Sequence, residues 1–315
     1  MVKLKFKRIV ISTLLVLLLI SHHSNSQHQF GSAAIYLYTM IGDNTSEVKL
    51  KQARALATDL SGAIYIADTG NNRILKFNRD GQLLKSIGGF GWDKEQFYAP
   101  YDIHVGSILD VFVADHNNHR IERYDKHLNY ISSLYSNENW SQEFRFGFPR
   151  GVIISRHGDL FLIDTENVRL LKLNSFGEPE MTFGNYTEGK GRLLQPIKIT
   201  IGPKDQIYVS DSRLNKVVVF DYFGNYLMEI GSDFLKEPQG ICFGPSNLLF
   251  VADQGNKRIA VFSPDGELKN TIEKITDELG KFKNPVDVVQ FRNRIYVLDN
   301  DRVFVFDGSN LIRPD

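Results

Sequence analysis

A single cysteine, Cys242, stands in a chain of 315 residues, so no disulfide can form within it. A domain of this size does not need such staples, because its core alone buries enough apolar surface. Cys242 lies in an apolar run and is expected to be a buried small hydrophobe. An excess of one charge sign is missing too: 37 Lys and Arg face 37 Asp and Glu. A broad nucleic-acid surface normally shows as clustered surplus Lys and Arg, so that class is disfavoured. Long apolar runs are absent apart from residues 9–20, and these 12 residues fall short of the roughly 20 a spanning helix needs. There is no Gly-x-Ser-x-Gly elbow, no phosphate-binding Gly loop and no paired-cysteine motif.

What is present begins with Lys3, Lys5, Lys7 and Arg8, followed by that short run and by Ser24-Asn25-Ser26. Basic, apolar, small is the layout of a secretory signal peptide, expected here over residues 1–26. The alternative is an uncleaved membrane anchor. Removing the leader takes four positive charges and leaves 33 against 37, a mildly acidic chain. Residues 27–315 are expected to form one domain, secreted or periplasmic and monomeric. It should have no stable membrane insertion and no nucleic-acid partner.

A repeat runs through the rest. Ala67-Asp68-Thr69-Gly70-Asn71-Asn72-Arg73-Ile74 returns as Ala114 to Ile121 and as Ala252 to Ile259, with weaker copies from Asp164, Asp211 and Asp299. The six aspartates are spaced by 47, 49, 47, 42 and 46 residues, a period that marks a repeat architecture. Each copy holds short apolar runs at regular spacing with turn signals between, which predicts all-β structure. In the second copy the expected strands are 101–105, 111–115, 120–125 and 130–134. Runs such as Leu160-Phe161-Leu162-Ile163 are apolar throughout, as in strands buried on both faces. Sheets sandwiched between neighbours in a radial array satisfy this, so the fold class is all-β, a six-bladed β-propeller of four-stranded antiparallel blades.

Gly81, Gly177, Gly224 and Gly266 are placed to supply the positive φ of tight turns between third and fourth strands. Asn71, Asn118, Asn167 and Asn256 stand three after their aspartates and are expected to take the left-handed conformation there. Five after stand Arg73, Arg120, Arg169, Lys216 and Arg258. Recurring in almost every blade, each Asp and its basic residue are expected to form a structural pair; the alternative is a ring of charges for a ligand. The last repeat lacks a fourth strand, while residues 35–41 form an unattached strand-like run. That run is expected to complete the last blade and cover an open edge.

The block Gly91-Trp92-Asp93-Lys94-Glu95-Gln96-Phe97-Tyr98-Ala99-Pro100, leading to Tyr101-Asp102-Ile103 and then Val113-Ala114-Asp115, Asn118 and Arg120-Ile121, resembles the NHL-repeat family of six-bladed propellers. Blocks through Phe146 to Val152 and Glu237 to Ile241 resemble it as well. The likeness covers about residues 35 to 308 and implies the fold more than the function. Relatives of that family include sensor ectodomains, protein-interaction and RNA-binding modules, and an amidating lyase that cleaves hydroxyglycine peptides.

The loops between blades, residues 42–52, 89–99, 136–148, 185–195 and 274–284, are long and irregular and share a face with the Asp-to-Arg turns. Binding residues on a rigid scaffold usually sit on such loops. Leu50, Phe97, Phe146, Leu193, Leu235 and Phe282 recur in register and are expected to be packing plugs. Trp92, Trp140 and Tyr186 do not recur, which leaves them as contact residues for a protein or glycan, or as loop residues folded onto the rim.

The residue after each inner-strand proline, or after its equivalent Ala53, lies at the channel entrance: Arg54, Tyr101, Arg150, Ile197, Gln239 and Val286. This register breaks the repeat, as a specific site should. Arg54 and Arg150 flank Tyr101 and are read as a small electropositive mouth for a carboxylate or another anion. The alternative pairs them with neighbouring acids. The zinc histidines of the amidating lyase project from inner strands of several blades; here only His104 lies on an inner strand, so no trio of ligands forms. Asp102 and Asp287 on inner strands are too few for a calcium. No cofactor, metal or catalytic residue is therefore expected, and the reading is a binding propeller for a protein, peptide or small anionic ligand. The competing reading is a metal-dependent lyase or hydrolase at the channel mouth. Asn44-Thr45-Ser46, Asn139-Trp140-Ser141 and Asn185-Tyr186-Thr187 match glycan acceptors on these loops.

Overall fold

A computed structural model of the chain describes residues 34–42, 47–106, 110–186 and 189–311. The expected leader and the acceptor at Asn44 lie outside the described residues, as does Thr187 of the acceptor at Asn185. Six four-stranded antiparallel sheets are present, with one two-stranded hairpin beside them. In the second blade the strands are Pro100–Val105, Val111–Asp115, Arg120–Tyr124 and Tyr130–Tyr135. The inner strands of the other blades are Ala55–Thr58, Pro149–Ile154, Pro196–Ile201, Pro238–Phe243 and Pro285–Phe291. Each inner strand lies against the next, and Pro285–Phe291 lies against Ala55–Thr58, so the array is a closed ring. The sixth blade takes its outer strand from Ile35–Ile41, which pairs antiparallel with Arg302–Asp307.

The all-apolar second strands explain the layering. Ile64–Asp68, Val111–Asp115, Leu160–Asp164, Ile207–Asp211 and Leu249–Asp253 are buried at every position. The six expected plugs are all buried, Phe97 completely. Each such side chain contributes about 2–3 kcal/mol by leaving water.

The landmark aspartates form clamps. Asp68 Oδ2 accepts from Arg73 Nε at 2.7 Å and from Asn71 Nδ2 at 2.8 Å, while Oδ1 accepts the Lys51 backbone N–H at 2.8 Å. Asp115, Asp164 and Asp253 repeat the pattern with Arg120, Arg169 and Arg258. The arginine then donates to a carbonyl of the preceding interblade loop, as Arg258 does to Phe234 O at 3.0 Å. One buried carboxylate thus ties a turn, a strand and a loop together.

Four expectations change. Lys216 does not pair with Asp211 but with Glu229 at 2.7 Å. Asp211 is already filled by backbone donors, from Leu194 and Gln195 on one oxygen and Arg213 and Leu214 on the other. The left-handed residue of the clamp turn is not the asparagine three after the aspartate but the next one: Asn72, His119, Val168, Asn215 and Lys257 have φ of 50–57°. The asparagine amide is occupied by the carboxylate instead. Loop 274–284 is not irregular, since Lys274–Thr276 and Gly280–Lys281 pair as a hairpin. Cys242 is half-buried and lines the channel, because its strand faces the axis there.

Candidate functional site

Arg54, Tyr101, Arg150, Ile197, Gln239 and Val286 come together. All six line one cavity of about 20 Å³ at the channel entrance, with Asp102, Lys198 and Gly240 beneath. A local irregularity makes this possible. In the inner strands pairing slips just after the proline, between Pro100 and Asp102, Pro196 and Lys198, and Pro285 and Asp287. Such a bulge turns two consecutive residues toward the same side.

The Arg54 guanidinium carbon lies 4.5 Å from the centre of the Tyr101 ring, and that of Arg150 lies 5.5 Å away. Cation–π attraction of this kind is worth about 0.5–2 kcal/mol. Among the described residues neither arginine has a carboxylate within ion-pair distance, and Arg54 Nε is buried without a hydrogen-bond partner. Burial lowers the pKa of Arg150, and repulsion from Arg54 lowers it further. Beside them the His116 ring lies 4.2 Å from Tyr101, and its Nδ1 is 3.2 Å from Pro149 O. Burial first, then the nearby Arg150, brings His116 down to about 4, so it is neutral at pH 7. The entrance therefore carries two positive charges and unmet donors.

The next register inward holds Ala55, Asp102, Gly151, Lys198, Gly240 and Asp287, small and charged in alternate blades. Lys198 Nζ bonds Asp102 Oδ1 and lies 3.1 Å from Asp287 Oδ2. The carboxylates also accept backbone N–H groups from the neighbouring blades, Val152 to Asp102 at 2.9 Å and Leu56 to Asp287 at 2.8 Å. A Cβ at Gly240 would sit 1.9 Å from Asp287 Oδ1, so the small residue makes room for the charged one. Burial opposes the ammonium of Lys198, but Asp102 and Asp287 outweigh it and raise its pKa. Lys198 escaped the sequence reading. Its signal was the alternation in this register.

Deeper in the channel a cavity of about 130 Å³ is lined by His104, Cys242, Thr58, Thr200 and Gln290 among others. Burial, then Lys198, takes His104 down to about 3, and burial pushes the Cys242 thiol up to about 12. Both are uncharged at neutral pH, and a thiol in that state is a poor nucleophile.

Outward, the mouth opens into a groove of about 520 Å³ lined by Arg150, Gln195, Ile197, Ser212, Arg213, Asn215, Glu237, Gln239 and Gln254. The three nonrepeated aromatics do not converge on it. Trp92 is 66% exposed and packs edge-on against Phe90, which also meets Tyr98. Tyr186 is 80% exposed. Trp140 is half-buried against Phe146, which is the rim-packed alternative. Asn139 of the second glycan acceptor is exposed.

A model of the NHL repeat matches residues 235–262, the fifth clamp and its strands. The chain is 28% identical over 148 residues, 46% of its length, to Protein brain tumor of Drosophila melanogaster. It is 31% identical over 88 residues, 27% of its length, to NHL repeat-containing protein 3 of Homo sapiens. These matches span 14% and 25% of those relatives. Among solved structures, streptogramin B lyase aligns at TM-score 0.60 with 13% identity, covering 87% of this chain and 98% of the other. A gluconolactonase from Xanthomonas campestris aligns at 0.63 with 13% identity, covering 88% and 98%. At such identities the likeness is one of fold.

A channel metal of the kind expected for an amidating lyase does not fit the residues present. Among the described residues no three His, Cys, Asp or Glu are grouped to hold an ion. The two channel carboxylates already enclose the ammonium of Lys198, a fixed charge where a cation would bind. No helix among the described residues is long and apolar enough to cross a membrane.

Proposed function

Because the chain is an NHL-repeat, six-bladed β-propeller, we propose that it is an exported binding module that performs no chemistry and takes an anionic group of a protein, peptide or small ligand on its interblade-loop face. One observation carries this reading. Arg54 and Arg150 flank Tyr101 at the channel entrance with no carboxylate partner among the described residues. Two guanidinium groups held close repel each other, and an anion between them relieves that repulsion. Their planar forks suit a carboxylate. The layout of residues 1–26 supports export, and N-terminal sequencing of the chain recovered outside its host cell tests it: a mature start near residue 27 is expected.

The binding test uses acetate as the probe, followed by side-chain NMR of the arginines. Acetate is expected to shift the Arg54 and Arg150 signals saturably, and an Arg54→Ala, Arg150→Ala double variant is expected to lose the binding. Equal acetate affinity in that variant overturns the reading.

The competing reading, a metal-dependent lyase or hydrolase at the same mouth, is favoured by the fold shared with streptogramin B lyase and gluconolactonase. It is opposed by Lys198 between the two channel carboxylates. Stoichiometric zinc or calcium in purified protein would favour the enzyme.

A further inference from the structure

The groove beside the mouth has a chemistry of its own. Mouth and groove share Arg150, Ile197 and Gln239, so a ligand held at one reaches into the other. We propose that together they bind a small polyhydroxylated carboxylate, a sugar acid, with its carboxylate between Arg54 and Arg150 and its hydroxyl groups along the groove. This rests on the anion-binding reading of the mouth.

Shape selects the anion. The cavity is small, about 20 Å³, and the planar forks of Arg54 and Arg150 match the paired oxygens of a carboxylate. The groove, at about 520 Å³, is the size of a small-ligand site.

Lining selects the rest of the ligand. Among the described residues the side chains of Gln195, Arg213 and Gln254 make no hydrogen bond or ion pair. Gln239 uses only its Nε2, on Glu237 O at 3.1 Å, and Asn215 only its Oδ1, from Glu237 N at 2.8 Å. The Gln239 Oε1 and the Asn215 Nδ2 are thus left without a protein partner. A carboxamide both donates and accepts, and so does a hydroxyl, so a run of amides matches a run of hydroxyls. Ile197 is the one apolar residue in the groove. A peptide anchored by apolar side chains finds no pocket there. Glu237 adds a carboxylate that accepts from hydroxyls, beside the cationic Arg213.

Calorimetric titration of the chain with D-glucuronate, acetate, D-glucose and the peptide acetyl-Glu-Glu-amide tests this. Glucuronate is expected to bind about tenfold or more tighter than acetate, one or two added hydrogen bonds being enough for that factor. Glucose and the peptide should bind more weakly than glucuronate. Arg150→Lys, which keeps the charge and loses the fork, should weaken glucuronate about tenfold. Gln195→Ala with Gln254→Ala should weaken glucuronate more than acetate, each variant first being checked for unchanged thermal unfolding. If acetate and glucuronate bind alike and both are lost in the Arg54→Ala, Arg150→Ala variant, the sugar-acid class is overturned and the mouth stands. Tighter binding of the peptide or of glucose also overturns the class. If the double arginine variant binds glucuronate as the unaltered chain does, mouth and class fall together.

Discussion

Lys198 is held at the crossing point of the channel, where two other blades supply its ion-pair partners and two more supply backbone donors to the same carboxylates. Taking the ammonium away leaves Asp102 and Asp287 buried without a cation. Lys198→Met is therefore expected to lower stability by about 3–5 kcal/mol at pH 7, read by urea unfolding. The deficit should shrink as the pH falls. Burial already raises the pKa of Asp287, and without Lys198 that rise is no longer opposed by its cation. A group raised in this way stabilises fully below the unfolded pKa and loses that contribution as pH rises through the folded pKa. A deficit equal at pH 4 and pH 7 would refute the role assigned to the triad. In the unaltered chain the sign is that of a raised lysine: the contribution of Lys198 is complete below about 10.4 and lost only as the pH rises through its elevated pKa. The mouth could be read from the sequence because Arg54, Tyr101 and Arg150 break a repeat register. Lys198 could not be placed so directly, since neighbouring strand residues normally face opposite ways. Only the slip between Pro196 and Lys198 turns Ile197 and Lys198 to the same cavity.

Among the elements, the clamp between each second and third strand decides how firmly the interblade loops are held. Asp253 is fully buried and receives Arg258, Asn256 and the Lys236 N–H. Removing the arginine leaves that buried carboxylate without its cation, held only by Asn256 and the Lys236 N–H, and leaves the Phe234 carbonyl with the Asn256 amide alone. Arg258→Ala should cost about 3 kcal/mol. Lys216→Ala, in the blade where the basic residue reaches a partly exposed Glu229, should cost under about 1 kcal/mol. Urea midpoints for the two variants check the difference, and similar losses would mean that the basic residue matters by its charge alone. The clamp was legible as a spacing of Asp, Asn and Arg. Its failure in the fourth blade has a signal too, in Leu214 standing where the first, second, third and fifth blades have Asn. What spacing did not carry was the division of labour inside the turn. The carboxylate holds Asn71 by its amide, so the left-handed backbone falls to Asn72.

For the whole molecule, ring closure depends on two segments far apart in sequence. Ile35–Ile41 pairs with Arg302–Asp307, and its Tyr36 meets Phe304 and Phe306 edge to face. Its Met40 and Ile41 pack into the core shared with Leu75 and Phe77 of the first blade, so the strand fastens the last blade to the first as well as covering an edge. Both halves of this closure were visible in the sequence, as one blade short of a strand and one strand short of a blade. A chain without residues 1–41 should keep its remaining sheets but expose Arg302–Asp307 as an unpaired edge, which promotes association. On size-exclusion chromatography it should elute as oligomers and unfold at lower urea. The point variant Ile41→Ala separates the two contributions. It leaves the strand able to pair, so it should cost about 2–4 kcal/mol in stability without oligomers. If the truncated chain stayed monomeric with an unchanged urea midpoint, the strand would be an accessory to the sixth blade and closure would rest on the inner strands alone.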